Sequence, residues 1–151
     1  MAYTKKEEGK MAHKFEGIYP PVITSFTESG EIYEQGIRNV TRYLLGEGVH
    51  GLFITGSYGS CVLMTREERK KTAEIFFDEV KNRVPIITHV GEASTAGTIE
   101  LAKHAQKLGS VAVAAVVPYY YPGANTYDTD QIVRHYAEIV EAVSIPVFIY
   151  N

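Results

Sequence analysis

The amino-acid sequence predicts an α/β fold in which parallel strands alternate with helices. Five short apolar runs are rich in valine and isoleucine and do not alternate with polar residues, which is typical of strands buried on both faces. The segments between these runs carry apolar residues at helical spacing. This strand-and-helix unit recurs roughly every 30 residues. The predicted strands span 17–24, 51–55, 85–90, 111–117 and 146–150.

Each of the four segments between strands carries one apolar stripe, as expected of a helix that covers one face of a sheet. Capping signals predict where the helices begin. Thr65 and Glu68 form a capping-box pattern at the start of the second helix. Ser94 and Asp128 are suited to cap the third and fourth helices. The glycines at which helices are expected to stop are Gly46, Gly48 and Gly109.

Two architectures fit this repeat, a doubly wound sheet and a (β/α)₈ barrel. Both bind ligands at the carboxyl ends of the parallel strands. They differ in strand order, because a doubly wound sheet reverses its order in the middle whereas a barrel keeps the strands in sequence order. A complete barrel needs about 200–250 residues, so this chain would supply only about five of the eight strands.

Composition narrows the classes of protein that this chain can belong to. Lysine and arginine total 15 and aspartate and glutamate total 18, so the net charge of −3 argues against a nucleic-acid binder that relies on a strong positive field. The single cysteine, Cys61, excludes an intrachain disulfide. The longest apolar run, 111–117, is too short to span a membrane. We expect a cytoplasmic chain with a flexible leader over 1–14 and one domain over 15–151.

The first candidate site is the loop after the second strand, Gly56-Ser57-Tyr58-Gly59-Ser60-Cys61. Its glycines allow a tight turn and close approach of the backbone to a ligand. Amides and hydroxyls in such a loop can bind an anion, for example a carboxylate. The alternative is an ordinary glycine-containing turn between a strand and a helix.

Tyrosines form the second and third candidate sites, after the fourth and fifth strands. Tyr119, Tyr120 and Tyr121 follow one another between two prolines, so they cannot all face a core. Some of their hydroxyls should reach the strand ends, although an aromatic contact with another subunit or loop fits equally well. Tyr150 lies at the end of the fifth strand and points either towards the site or into a layer of the core.

No pattern in the sequence predicts a metal or a cofactor. The five histidines show no ligand spacing within a helical turn. His89 and Glu92 lie near the end of the third strand and could line a site, whereas lone cysteines such as Cys61 are more often small buried hydrophobes. The residues 46–51 match the Gly-x-Gly-x-x-Gly pattern of dinucleotide-binding loops. Such a loop must follow a strand and open a helix, whereas this segment follows a helix and opens a strand, so we do not interpret it as a cofactor site.

Several of these segments together resemble the dihydrodipicolinate synthase/N-acetylneuraminate lyase family. Each segment is short, and the specificity lies in their order along nearly the whole chain from Phe15 to Asn151. The segments are 17–26 for the first strand, 56–60 for the family's Gly-Ser/Thr-Thr-Gly-Glu loop, 101–104 for the third helix, 118–121 for a Pro-Tyr-Tyr segment and 148–151 for a Tyr-Asn strand end.

The resemblance implies a (β/α)₈ barrel and class I lyase or aldolase chemistry. In that chemistry a lysine amine forms a Schiff base with a 2-oxo acid, usually pyruvate, and a C–C bond is made or broken at the adjacent carbon. By resemblance, Tyr150 shuttles protons, and Ser57 relays protons and helps to hold the carboxylate. Gly56 and Tyr58 belong to the same substrate-binding loop. Tyr120 matches a tyrosine that completes the relay across a dimer interface, which implies a homo-oligomer.

Three departures from the family's pattern bear on function. Tyr58 replaces a small threonine and Ser60 replaces the usual glutamate. The lysine that forms the Schiff base belongs to the sixth strand of the family, which lies beyond Asn151. We therefore expect an N-terminal part of such an enzyme, inactive by itself.

Two alternatives stay open at this point. One is a non-catalytic half-barrel that self-associates or serves as a binding module, and the other is an unrelated doubly wound α/β binding protein. The second substrate is also open, between aspartate semialdehyde and a sugar acid or other aldehyde. The segment His89-Val90-Gly91 resembles the sugar-acid lyases slightly more.

Overall fold

In the part of the chain that the structure describes, four α-helices alternate with four parallel strands. The computed structural model describes residues 2–3, 14–120 and 128–151. The strands are β1 (Ala2–Tyr3), β2 (Leu52–Ile54), β3 (Ile86–His89), β4 (Ala112–Val116) and β5 (Val147–Tyr150). The helices are α1 (Glu34–Gly46), α2 (Arg66–Val80), α3 (Thr95–Leu108) and α4 (Thr129–Ala142). The predicted strand-and-helix repeat is confirmed from β2 onwards.

Strand order decides between the two architectures. The sheet runs β1-β5-β4-β3-β2, so the parallel strands β2 to β5 are neighbours in the order in which they occur in the chain. A doubly wound sheet would reverse this order, so that alternative is wrong for this chain. Each helix also contacts the next along the row from α1 to α4. This arrangement is that of a partial (β/α)₈ barrel.

The first predicted strand, 17–24, is largely absent as regular structure. Among the described residues, its strand pairing is limited to an isolated parallel bridge between Pro21 and Phe53. Around it, the amide of Val22 donates to the carbonyl of Phe53 (2.9 Å) and the amide of Phe53 donates to the carbonyl of Pro20 (3.0 Å). Pro20 has no amide to donate towards β2, which interrupts the ladder on the N-terminal side of the bridge. The segment still lies beside β2, where a first barrel strand belongs.

The N-terminus contributes a short strand instead. β1 pairs antiparallel with β5, with Ala2 opposite Phe148. The rest of the expected leader up to residue 13 lies outside the described residues, and the flexible leader over 1–14 stays a prediction.

Side-chain caps begin three of the helices as predicted. Thr65 and Glu68 form a capping box at α2, and Asp128 forms one with Gln131 at α4. The Ser94 hydroxyl accepts a hydrogen bond from the amide of Gly97 at α3. Gly109 ends α3 with a φ of 101°, a left-handed conformation that glycine adopts without strain.

Alternate residues of the parallel strands β2 to β5 enter different apolar clusters. Leu52, Ile54 and Val113 pack among helical side chains on one face of the sheet. Ile87 and Ala114 belong to a separate cluster with aromatic rings that include Phe53 and Phe148. Burial on both faces explains why the strands read as continuous apolar runs. Within residues 14–120 and 128–151, no helix has the length and apolar character needed to cross a membrane.

Candidate active site

Two hydroxyl groups that are distant in sequence meet at the carboxyl ends of the strands. The Ser57 Oγ lies 3.1 Å from the Tyr150 Oη, although the residues are 93 positions apart. Ser57 belongs to the loop after β2, and Tyr150 is the last residue of β5. Both groups are partly exposed to solvent. A hydrogen-bonded pair of hydroxyls open to solvent can pass a proton between a ligand and water.

The Tyr150 ring is held by an aromatic cluster from β2 and β3. Its centroid lies 5.9 Å from that of Phe53 and 5.6 Å from that of His89, and both contacts are edge-to-face. Aromatic pairs prefer this geometry because the positive edge of one ring meets the negative face of the other. The cluster sets the direction in which the Tyr150 hydroxyl projects.

The loop after β2 is shaped by close backbone contacts. A Cβ atom at Gly56 would lie 2.7 Å from the Phe53 ring, and one at Gly59 would lie 2.9 Å from the carbonyl oxygen of Val22. The Thr24 hydroxyl donates to the Gly59 carbonyl at 2.7 Å. Among the residues that the structure describes, the amides of Ser57 and Tyr58 donate to no other residue. They are free to bind an anion, as the sequence predicts for this loop.

Tyr58 and Tyr120 face solvent, whereas Tyr119 is only 39% exposed. Tyr58 is 65% exposed and projects from the loop, and Tyr120 is 70% exposed just beyond β4. Tyr121 lies outside the described residues. The structure therefore brings Ser57 and Tyr150 together, and it places the side chains of Tyr58 and Tyr120 at the surface.

His89 is a feature of the site that the sequence suggested only as a possibility. Its side chain is 2% exposed and faces Tyr150 and Phe53. Burial, and secondarily the nearby Arg69 guanidinium, lowers the pKa of His89 to about 4. The imidazole is therefore neutral near pH 7. Glu92, the other candidate from this strand end, accepts hydrogen bonds from Arg66 at 2.9 and 3.2 Å and so belongs to an ion pair.

Cys61 is the last residue of the loop after β2, begins a short 3₁₀ turn and is buried. Burial raises the pKa of its thiol, which disfavours the nucleophilic thiolate. Among the described residues, no group of three or more histidine, cysteine, aspartate or glutamate side chains could hold a metal ion.

Residues 14–151 match the sequence profile of the Dihydrodipicolinate synthetase family. The chain is 36% identical over 138 residues to a 4-hydroxy-tetrahydrodipicolinate synthase from Nitrobacter hamburgensis, covering 91% of this chain and 45% of the relative. It is 32% identical over 142 residues to an N-acetylneuraminate lyase from Salmonella paratyphi B, covering 93% of this chain and 46% of the relative.

Solved structures give the same result. YagE, a prophage protein of the dihydrodipicolinic acid synthase family from E. coli K12 in complex with pyruvate, matches with a TM-score of 0.85 and 35% identity over 91% of this chain and 45% of that one. CdNal from Clostridium difficile, in complex with mannosamine, matches with a TM-score of 0.86 and 34% identity over 91% of this chain and 47% of that one. The chain thus spans somewhat under half the length of the proteins that it resembles.

Proposed function

The chain belongs to the dihydrodipicolinate synthetase family, and from that premise we propose that it supplies part of the active site of a pyruvate-dependent, Schiff-base-forming lyase or synthase. The observation that supports this most directly is the 3.1 Å approach of Ser57 Oγ to Tyr150 Oη. In a (β/α)₈ barrel, the reacting groups come from the carboxyl ends of several strands, and these hydroxyls lie there.

The reaction of the intact enzyme sets the demands on these hydroxyls. A lysine amine adds to the keto carbon of a 2-oxo acid, and the carbinolamine loses water to give a protonated imine. That imine accepts electron density when the bond at the neighbouring carbon is made or broken. Each stage moves a proton on or off an oxygen, so a relay must lie within hydrogen-bond reach. Tyr150 and Ser57 are suited to form that relay.

The loop after β2 would hold the carboxylate of the 2-oxo acid. The free amides of Ser57 and Tyr58 and the Ser57 hydroxyl are donors of the kind that carboxylates accept. Gly56 allows this approach because it carries no side chain against the Phe53 ring. The complex of the related YagE protein with pyruvate supports a 2-oxo acid as the ligand class. The proposal covers this acid and not the second substrate, because relatives of both names match the chain.

The lysine that forms the imine is proposed to lie outside this chain. The lysines that the structure describes are on helices or in connecting segments: Lys14, Lys70, Lys71, Lys81, Lys103 and Lys107. A lysine that reacts at the carboxyl ends of the strands must instead project from such an end. The chain by itself would bind pyruvate weakly and form no imine.

A titration with pyruvate tests the binding site. We expect the amide NMR signals of Ser57 and Tyr58 to shift on addition of pyruvate. Tyr150→Phe removes one hydroxyl and should weaken binding roughly threefold to tenfold. The matched control is Tyr43→Phe, which alters an exposed tyrosine on α1 and should change nothing. Shifts spread evenly over the surface, with no focus on the loop, would contradict the proposal.

Trapping with sodium borohydride tests where the imine lysine lies. We expect no covalent adduct, by intact mass, when this 151-residue chain is treated with pyruvate and borohydride. A longer chain that carries a lysine-bearing sixth strand should be labelled under the same conditions. A stable adduct on the 151-residue chain would overturn its proposed inactivity.

Tyr120 and self-association form a further part of the proposal. The Tyr120 side chain is 70% exposed beyond β4, where a second copy of the chain could receive it. The alternative function, a non-catalytic half-barrel that self-associates or binds a partner, is favoured by exposed apolar side chains. Ile149 on β5 is 47% exposed, and Val62 and Leu63 are 58% and 79% exposed.

A further inference from the structure

The ends of β2 and β3 are joined by a reciprocal pair of hydrogen bonds. The Thr55 hydroxyl lies 2.8 Å from the carbonyl oxygen of His89 and also 2.8 Å from that of Ile54, so its one proton is shared between these two acceptors. The His89 Nδ1 lies 3.2 Å from the carbonyl oxygen of Thr55. Because a carbonyl can only accept, this second bond places the imidazole proton on Nδ1 and leaves Nε2 as a lone-pair acceptor in the neutral ring. Each residue thus holds the backbone of the other.

Thr55 adopts a backbone conformation that is unusual for its residue type. Its φ is +54° and it is 1% exposed, so a buried β-branched residue lies in the left-handed region. Such a conformation persists only where surrounding contacts enforce it, and it is concentrated at functional sites. The turn at Thr55 directs the chain into Gly56 and Ser57. The position of the Ser57 hydroxyl therefore depends on this strained residue.

Arg69 anchors the same strand end from α2. Arg69 is 4% exposed, and its guanidinium donates to the carbonyl oxygens of His89 (2.9 Å) and Gly91 (2.9 Å). Hydrogen bonds from a charged donor are stronger than neutral ones. The carbonyl of His89 thus accepts from both Thr55 and Arg69, which leaves the end of β3 little freedom to move.

The His89 ring connects this assembly to Tyr150. The two rings meet edge-to-face with centroids 5.6 Å apart and an interplanar angle of 83°. Among the described residues, His89 Nε2 has no hydrogen-bond partner. A Cβ atom at Gly91 would lie 3.0 Å from Nε2 and 2.8 Å from the amide nitrogen of Val116, so glycine keeps the space beside the ring open.

We propose that His89 is a positioning residue that keeps the hydroxyls of Ser57 and Tyr150 at hydrogen-bond distance. It acts on Tyr150 through contact between the rings and on Ser57 through its paired bonds with Thr55. The importance of that hydroxyl pair rests on the function proposed above. His89 itself needs no contact with the 2-oxo acid. Loss of its ring contact with Tyr150, or of its paired bonds with Thr55, would weaken the binding of the acid indirectly.

A test on the unaltered chain concerns the histidine tautomer. With ¹⁵N-labelled histidine at pH 7, we expect the His89 ring signals of a neutral imidazole that carries its proton on Nδ1. A proton on Nε2 would overturn the proposal, because the bond to Thr55 could not then form. This measurement requires neither pyruvate nor a variant, so it tests the bond to Thr55 on which the positioning role depends, even if the proposed function fails.

Two substitutions at His89 separate its two actions. His89→Phe keeps an aromatic ring and loses the donor, so the Ser57 amide signal should move while the Tyr150 ring signals stay near their original positions. His89→Asn keeps an amide donor in the place of Nδ1 and loses the ring, so the opposite pattern is expected. If the Ser57 and Tyr150 signals of both variants matched those of the original chain, the proposal would be overturned.

A matched threonine pair separates positioning from loss of stability. Thr55→Val removes the donor to His89, and Thr41→Val removes an equally buried side-chain bond, to the carbonyl of Ile37 in α1. We expect only Thr55→Val to move the Tyr150 and Ser57 signals and to weaken pyruvate binding roughly tenfold. Thr55→Ser, which keeps the hydroxyl, should restore both. Equal effects of the two valine variants on those signals would contradict the positioning role.

Discussion

At the scale of single residues, chemistry at this site depends on whether polar groups are buried or open. Ser57 and Tyr150 keep access to solvent, which the proposed proton relay to a ligand requires. His89 is enclosed and neutral, so it can position its neighbours without introducing a charge. The residue types at 57 and 150 pointed to this role in the sequence. Their hydrogen bond could not be predicted, because it joins residues 93 positions apart.

Buried His89 makes the stability of the chain depend on pH. Its pKa is lowered to about 4 in the folded state from 6.5, by burial first and by Arg69 second. Between these values the unfolded chain binds the proton and the folded chain does not, so stability falls as pH falls from 6.5 to about 4. The full effect is about 3 kcal/mol.

Urea unfolding at a series of pH values checks this prediction. The free energy of unfolding should decrease towards acid, and His89→Asn should reduce the slope. His135 adds to the same trend in both proteins, since burial also lowers its pKa. Equal slopes for the original chain and the variant would show that His89 does not contribute.

At the scale of elements, local signals predict the helices well. The capping residues and apolar stripes act within four residues of one another, so they are visible in the sequence. The first strand is an instructive exception. Its apolar residues predicted a strand over 17–24, but Pro20 lacks the amide that a regular ladder with β2 needs at that position. This proline was present in the sequence and outweighs the apolar pattern.

The capping box of α2 leads to a prediction about helix stability. The amide of Thr65 donates to the Glu68 carboxylate at 2.7 Å, and the Thr65 hydroxyl accepts from the amide of Glu68 at 3.3 Å. Thr65→Ala leaves the amide of Glu68 without this acceptor and should lower the free energy of unfolding by about 1 kcal/mol. Chemical denaturation measures the loss. Thr65→Ser keeps the acceptor and serves as the control, and a loss as large as that of alanine would argue against the capping explanation.

At the scale of the whole molecule, strand order turns an ambiguous repeat into a barrel segment. Spacing alone fitted both a doubly wound sheet and a barrel, because each alternates strands with helices. The sequential order from β2 to β5 distinguishes them. It also explains how Ser57, His89 and Tyr150 meet. They come from the loop after β2 and from the ends of β3 and β5, and the carboxyl ends of parallel strands lie at one edge of the sheet.

Exposed apolar side chains lead to a prediction about assembly. Ile149, Val62 and Leu63 all lie at the surface of this chain. Contact between copies would remove these side chains from water, so we expect an oligomer whose fraction rises with concentration. Size-exclusion chromatography with light scattering gives the mass. Ile149→Lys should shift the equilibrium towards the monomer, and Val133→Lys, an exposed valine on α4, is the control. A monomer at all concentrations would argue against self-association.

The sequence by itself determined the alternation of strands and helices, the helix caps and the family resemblance, because these depend on residues that are near one another or in a recognisable order. Tertiary structure established the sequential strand order, which spacing left open and the family resemblance implied. It alone showed the approach of Ser57 to Tyr150 and the contacts that Thr55, His89 and Arg69 make beside them. Those features depend on contacts across 20 to 93 positions of chain. No local pattern records such contacts, because they form only when separate strand ends are brought to one edge of the sheet.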